Sequence, residues 1–256
     1  MMVAKFKFLI RELMLYICYF VIPENHNRRR VIIFGQGRTG STLLENLICS
    51  TGYFDENGEI FCNNILDVTS PIKFLLGISK KNRNNHFIFH LKIYHLTRDR
   101  KKNINPYSFL KELEKRGWFI IHLSRRNKLK HALSNVLVKH RGNKYHKYDN
   151  SVEKYQINLN LAHLEEEVEL RIAYDQQEQI ALKGIKHIRV VYEDELMETK
   201  NHQVTIDKIL DYIQLNPKPV KTKMKRINSF FIEDIILNFS ELTTLLKKKG
   251  WLDYLK

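Results

Sequence analysis

The stretch that most constrains the fold is an apolar run that passes directly into a glycine-rich loop. VIIFG (residues 31–35) has the composition of a fully buried strand, and GQGRTGSTLL (residues 35–44) continues from it. Residues 39–48 then show helical periodicity. A strand, a glycine turn and a helix in this order aim backbone N–H groups and the positive end of the helix at one point. The sequence therefore predicts an anion site in this loop.

The loop fits more than one phosphate-binding pattern. Gly35, Gly37 and Gly40 match the G-x-G-x-x-G of dinucleotide-binding folds, but the segment around Asp55 has no strand long enough to deliver that carboxylate to a ribose. The G-x-x-x-x-G-K-[ST] pattern of nucleotide triphosphatases requires a lysine where Ser41 stands. A nucleotide-dependent kinase or triphosphatase with a degenerate loop remains an alternative function.

The rest of the chain alternates predicted strands with predicted helices. The further strands are FIFHLKI (87–93), WFIIHL (118–123) and HIRVVY (187–192). Helices are predicted over residues 105–117 and 127–139, and residues 151–183 are predicted to form one long helix or two. This alternation indicates an α/β fold with a central parallel sheet, which binds ligands at the carboxyl ends of its strands. We expect a single α/β domain over residues 31–256.

Residues 1–30 are predicted to form a helix followed by a basic linker. Residues 13–22 are an unbroken apolar run, and Lys5, Lys7, Arg11 and Glu12 precede them. As a helix this run rises about 15 Å, half the thickness of a hydrocarbon core of roughly 30 Å. We therefore expect a helix that packs on the domain, with peripheral contact to the inner face of a membrane as the alternative.

Composition narrows the classes of partner and cofactor. The 256 residues include 43 Lys and Arg against 28 Asp and Glu, a net charge of +15 that favours anionic partners. A nucleic-acid-binding protein is the alternative of another class, but no interleaving of aromatic and basic residues supports it, so no nucleic acid is expected. The three cysteines form no C-x-x-C pair, which argues against a zinc site and fits a reducing, cytoplasmic compartment.

Three short motifs carry a family resemblance. R-T-G-S-T occupies residues 38–42, R-N at 126–127 is followed by Ser134 eight positions after the arginine, and V-Y-E-D occupies residues 191–194. In this order they resemble the sulfotransferases that use 3′-phosphoadenosine 5′-phosphosulfate (PAPS), especially the bacterial carbohydrate and lipid branch. The resemblance runs from about residue 31 to the C-terminus. It implies a P-loop-like three-layer sandwich with extra helices.

The resemblance also implies a reaction and a donor site. A sulfuryl group would pass from PAPS to a hydroxyl of a carbohydrate or another acceptor, such as a glycan or glycolipid, leaving PAP. Arg38 would stabilise the leaving group, Arg126 and Ser134 would bind the 3′-phosphate, and Tyr192 would contact the nucleotide. The 5′-phosphosulfate would be held by Gly37, Arg38, Thr39, Gly40, Ser41 and Thr42.

Catalytic residues follow from the same resemblance. Glu59 is the predicted base, because related enzymes carry a glutamate in a similar G-E setting, and His95 is the alternative. Lys92 is expected to assist the sulfuryl group, and no metal is required. A basic segment that matches the family loosely would close over the 3′-phosphate. Its residues are Lys221, Lys223, Lys225 and Arg226. The aromatic residues of the predicted acceptor loops are Tyr145, His146, Tyr148 and Tyr155.

Overall fold

A five-stranded parallel sheet organises the protein. The computed structural model describes residues 2–62, 68–81, 85–140, 156–224 and 232–255. Within them the strands are β1 (Arg30–Gly35), β2 (Phe54–Asp55), β3 (His86–Lys92), β4 (Trp118–Ser124) and β5 (Ile188–Val191). Their order across the sheet is β2-β3-β1-β4-β5, and every neighbouring pair is parallel. The predicted α/β fold with a central parallel sheet is confirmed.

The centre of the sheet is β1, and all of its residues are buried. Its last residue, Gly35, pairs with Lys92 at the end of β3 and with Leu123 near the end of β4. A Cβ atom on Gly35 would lie 2.3 Å from the carbonyl oxygen of Leu123, so only glycine permits this approach. Consequently the glycine loop begins between the carboxyl ends of two other strands.

Ten helices occur in the described part of the chain. They are α1 (Met2–Val21), α2 (Ser41–Cys49), α3 (Pro71–Lys81), α4 (Ile93–Leu96), α5 (Pro106–Lys115), α6 (Lys128–His140), α7 (Leu161–Leu182), α8 (His202–Tyr212), α9 (Ile232–Ile235) and α10 (Phe239–Lys249). A π-helical turn (Tyr192–Leu196) and two 3₁₀ turns (Thr199–Asn201 and Leu252–Leu255) complete the elements. The N-terminus of α5 is stabilised by Asn105, whose Oδ1 accepts a 2.9 Å hydrogen bond from the N–H of Ser108.

The chain divides into two compact units. The first comprises Met1–Ser124 and Gln177–Lys221, and the second comprises Arg125–Gln176 and Thr222–Lys256. In the first unit, the side chains of β1, α2 and α8 share one apolar core. In the second, residues of α6, α7 and α10 form a separate core, and Ile157 pairs with Ile236 in an isolated bridge. The expected single domain over residues 31–256 stays a prediction.

The N-terminal helix α1 packs against α3. A Cβ atom on Gly77 of α3 would lie 2.0 Å from the carbonyl oxygen of Leu15, so the two helices touch closely at this glycine. Glu12 is also buried here and accepts a 2.7 Å hydrogen bond from the N–H of Thr69. Half of the apolar run over residues 13–22 nevertheless stays exposed, because α3 covers one side only. None of the described helices has the length and apolar character to cross a bilayer.

Candidate functional site

The glycine loop has the backbone geometry of an anion site. Arg38 (φ 68°) and Gly40 (φ 92°) both adopt the left-handed conformation, and the Thr39 hydroxyl donates a 2.8 Å hydrogen bond to the carbonyl of Gln36. Gly40 is the N-cap of α2 and, as a glycine, supplies no side-chain capping hydrogen bond. The first N–H groups of a helix lack partners within it, so this turn can receive a negatively charged oxygen.

Two tyrosines pack against the loop. A Cβ atom on Gly37 would lie 2.6 Å from the hydroxyl of Tyr94, and one on Gly40 would lie 2.8 Å from the ring of Tyr192. Tyr192 follows β5 and opens the π-helical turn, so the late strand brings it to the loop. Sequence reasoning named Tyr192 but missed Tyr94, which lies on α4 two residues after Lys92. Both glycines are therefore needed for close aromatic contact.

A buried lysine lies beside the start of α2. Lys92, the last residue of β3, is 1% exposed, and its Nζ donates a 2.7 Å hydrogen bond to the Ser41 hydroxyl. The same Nζ lies 3.8 Å from Oε1 of Glu59. Burial lowers the pKa of Lys92, and the carboxylate of Glu59 opposes that shift. The charge of Arg38 also lowers this pKa. Thus the structure brings together four of the residues singled out in the sequence.

His95 lies next to the same carboxylate. Its Nδ1 accepts a 3.3 Å hydrogen bond from the backbone N–H of Lys92, and its Nε2 lies 3.5 Å from Oε2 of Glu59. Burial lowers the pKa of His95 to about 3, and the charge of Lys92 acts in the same direction. The ring is therefore neutral at pH 7. Because Nδ1 is an acceptor, the proton resides on Nε2 and faces Glu59.

Glu59 is carried to this point by a segment that runs along β3. The N–H of His90 donates a 2.8 Å hydrogen bond to the carbonyl of Gly58, and Glu59 pairs with His90 in an isolated parallel bridge. The side-chain amide of Asn57 donates to the carbonyl of Ile88 at 3.0 Å. Glu59 itself is 40% exposed on its side chain, so it meets both the buried lysine and solvent.

A second carboxylate, missed by sequence reasoning, fixes that segment. Glu45 of α2 is 3% exposed, and its Oε1 accepts 3.0 Å hydrogen bonds from the N–H groups of Asn57 and Gly58. Its Oε2 lies 3.0 Å from Nε2 of His90. Burial opposes ionisation of Glu45, but the hydrogen bond and charge of His90 together with the backbone hydrogen bonds from Gly58 and Asn57 lower the pKa of this carboxyl. An acid on the core-facing side of α2 was the signal available in the sequence.

The predicted 3′-phosphate residues belong to the second unit. Arg126 is exposed between β4 and α6, whereas Ser134 lies within α6 and is 7% exposed. Asn127 starts α6, because its Oδ1 accepts a 2.8 Å hydrogen bond from the N–H of Lys130. The loop, Glu59, Lys92 and Tyr192 belong to the first unit. A common nucleotide site for both groups stays a prediction.

Several predicted residues lie outside the described part of the chain. They are Lys225 and Arg226 of the basic segment and Tyr145, His146, Tyr148 and Tyr155 of the acceptor loops. Lys221 and Lys223 are described and exposed. Among the described residues, no group of three or more His, Cys, Asp or Glu side chains is arranged to hold a metal ion. That the reaction needs no metal stays a prediction.

A cleft of about 450 Å³ lies next to Glu59 in the first unit. The exposed edge of α1 lines one side through Lys7, Arg11 and Met14. Ile60, which follows Glu59, lines the other side. The cleft mixes apolar and cationic side chains, and Glu59 is one of its lining residues.

Comparison with known proteins identifies the type of fold. No protein-family model matches the chain, and no curated protein sequence matches it. Its structure is similar to a sulfotransferase from Alicyclobacillus acidocaldarius, with a TM-score of 0.50, 10% sequence identity, and coverage of 89% of this chain and 95% of that one. At such low identity the similarity shows architecture rather than chemistry. The chain therefore has a sulfotransferase-like α/β fold.

The neutral state of His95 predicts a pH-dependent stability. A histidine with a pKa of about 3 when folded and 6.5 when unfolded binds a proton more readily in the unfolded chain. Stability is therefore lost as pH falls from 6.5 towards 3, by about 2 kcal/mol at pH 5. His95→Asn, whose Oδ1 can still accept from Lys92, should reduce the change in unfolding free energy between pH 7 and pH 5 by that amount. Urea denaturation at the two pH values measures it.

The control for this measurement is His26→Asn, because His26 is exposed. It should leave the difference between the two pH values unchanged. Equal pH dependence in the wild type and His95→Asn would show that His95 is not held neutral in the folded protein.

Removing the inner carboxylate should be costly. Glu45→Ala leaves the N–H groups of Asn57 and Gly58 and the ring of His90 without their acceptor. We expect the free energy of unfolding to fall by about 3–5 kcal/mol in urea denaturation at pH 7. Glu56→Ala, which removes an exposed acid that contacts Asn46, should cost less than about 1 kcal/mol. Similar losses in the two variants would contradict the assignment of Glu45 as the buried tether.

Proposed function

We propose that this protein is a sulfotransferase that moves a sulfuryl group from PAPS to an acceptor hydroxyl. The observation that carries the proposal is the position of the Lys92 ammonium. It contacts the Ser41 hydroxyl on the anion-binding turn and lies 3.8 Å from the Glu59 carboxylate. One buried cation thus joins a site for an anionic donor to a group that can accept a proton, within a sulfotransferase-like fold.

The glycine loop fits the 5′-phosphosulfate of the donor. The N-cap of its helix, Gly40, supplies no side-chain hydrogen bond, and the left-handed residues Arg38 and Gly40 turn the backbone towards that helix. The N–H groups of Thr39–Thr42 and the hydroxyls of Ser41 and Thr42 would hold the phosphate oxygens. Each charge-assisted hydrogen bond of this kind contributes about 1.5–3 kcal/mol. Tyr192 would add a contact between its ring and the nucleotide.

Arg38 and Lys92 would stabilise the charge that develops during transfer. The sulfur–oxygen bond to the donor phosphate breaks as one to the acceptor oxygen forms, so negative charge accumulates on the departing phosphate oxygen. Preorganised cations aimed at such an oxygen act strongly in a site with little water. Lys92 is fixed by Ser41 before the donor binds, so little side-chain reorganisation accompanies the reaction.

Glu59 is the better candidate for the base. The proton of the acceptor hydroxyl must leave as its oxygen bonds to sulfur, and a carboxylate within hydrogen-bond reach can take it. His95 cannot readily fill this role in the observed arrangement, because Nδ1 accepts from the backbone and Nε2 carries the proton. We assign His95 to positioning Glu59. The acceptor would approach through the cleft that Glu59 lines.

One observation also favours a second function, a kinase or nucleotide triphosphatase. The loop has Ser41 where such enzymes carry a lysine, yet the ammonium of Lys92 reaches that serine. The ammonium of a lysine on β3 thus lies near the position where such enzymes carry the loop lysine. Stabilisation by ATP with Mg²⁺, together with metal-dependent ATP hydrolysis, would favour this function over sulfuryl transfer.

Donor binding can be tested by thermal shift. A 3′-phosphate site predicts that PAP raises the unfolding temperature more than ADP or AMP, since a hundredfold excess over Kd stabilises by about 2.7 kcal/mol. Arg126→Ala should abolish the preference for PAP and leave the ligand-free unfolding temperature nearly unchanged. Arg116→Ala, another exposed arginine, is the control that should keep the preference. Equal shifts with all three nucleotides would refute the 3′-phosphate site.

The base can be tested by separating turnover from donor binding. Glu59→Gln should lower kcat for sulfate transfer by about 10²–10⁴-fold while PAP affinity changes little. A panel of glycan, glycolipid and phenol acceptors with labelled PAPS supplies the assay. Glu56→Gln, three residues away and exposed, should retain wild-type turnover. Full activity of Glu59→Gln combined with an inactive His95→Asn would transfer the role of base to His95.

A further inference from the structure

The outer face of α1 is apolar from Phe6 to Val21. Eight large apolar side chains on this helix are each at least 45% exposed: Phe6, Leu9, Ile10, Leu13, Met14, Ile17, Phe20 and Val21. At about 100° per residue they fall on one stripe roughly 140° wide. Isolated apolar side chains are normal on protein surfaces, but a continuous patch of this kind marks a binding surface. We call these eight residues the outer stripe of α1.

The opposite side of α1 already has its partner. Leu15 is 4% exposed and contacts α3 at Gly77, and Lys80 of α3 donates a 2.8 Å hydrogen bond to the carbonyl of Tyr19. The fold therefore uses one face of the helix and leaves the outer stripe in solvent. A helix that needed only to pack on α3 would carry polar residues on its other face.

The charges on and beside the helix identify the chemistry of the missing partner. The exposed charged side chains described on α1 are Lys7 and Arg11, which lie along one edge of the outer stripe. The acid in this helix, Glu12, is buried on the α3 side. Lys73 of α3 is exposed, and its ammonium lies 5.3 Å from the ring centre of Phe20. An apolar stripe edged by cations complements an anionic lipid surface.

A second copy of the chain is a poorer partner. Two molecules that each carry a net charge of +15 repel one another, and the cations at the edge of the stripe would face their equivalents. The helix also lacks the apolar length to cross a bilayer. We infer that the outer stripe of α1 inserts into the interface of an anionic membrane, with Lys7 and Arg11 at the level of the lipid phosphates.

Vesicle flotation with the full chain tests this inference. Wild-type protein should float with vesicles of phosphatidylcholine and phosphatidylglycerol, and bind much less to phosphatidylcholine alone. The double variant Leu13→Glu/Ile17→Glu should bind the anionic vesicles at least about tenfold more weakly, because it buries charge in the apolar stripe. The control Ile180→Glu/Val204→Glu adds the same charge at sites that are 70% and 71% exposed elsewhere, and should bind within about twofold of wild type.

Two outcomes would overturn the inference. Equal loss in the two double variants would show that binding follows net charge alone. A stable dimer in vesicle-free solution that Leu13→Glu/Ile17→Glu dissociates would show that a second copy covers the stripe. Circular dichroism and the PAP thermal shift should match wild type in both variants, which verifies folding. Vesicle binding without any response to PAP would support membrane docking and refute the proposed donor site.

Discussion

The burial of one ammonium group shapes the whole candidate site. Lys92 is the last residue of β3 and pairs in register with Gly35, the first residue of the glycine loop. The side chain of Lys92 is buried there, away from water. An isolated buried charge is very costly, so neighbouring groups must compensate for it. Ser41 supplies a hydroxyl from α2, Glu59 supplies a carboxylate at 3.8 Å, and the backbone of Lys92 orients His95. The anion-binding turn and the carboxylate are thus coupled through a single side chain.

Two carboxylates near this lysine differ in their exposure to solvent, and each has a different role. Glu45 is enclosed, and it ties the segment before Glu59 to α2 by two backbone hydrogen bonds and the contact with His90. Glu59 follows on the same segment, and 40% of its side chain is exposed. The enclosed group therefore holds its neighbour in place, and the exposed group remains accessible to solvent. This division explains how an acid on a short irregular segment keeps a defined position.

Local patterns made the strands and the glycine turn predictable, because each of these elements has its signal within a few residues. The apolar run before Gly35 forms the central strand β1. Asn105 caps α5, the helix that was expected to follow that residue. The contact between Lys92 and Ser41 joins residues 51 positions apart, and no local pattern encodes it. Strand order and the burial of Glu45 likewise arise only when the sheet assembles. Periodicity also could not show that α3 would cover a single side of α1.

The edge that α1 shares with the cleft has a further consequence. Ile10 and Met14 belong to the outer stripe and also line the cleft to which Glu59 contributes. With the stripe inserted in a lipid interface, the mouth of that cleft would border the headgroup layer. Under the proposed sulfuryl transfer, an acceptor anchored in the same leaflet would then reach the carboxylate by lateral diffusion, without first being extracted into water. The search for substrate would take place in two dimensions, and turnover would depend on surface density rather than bulk concentration.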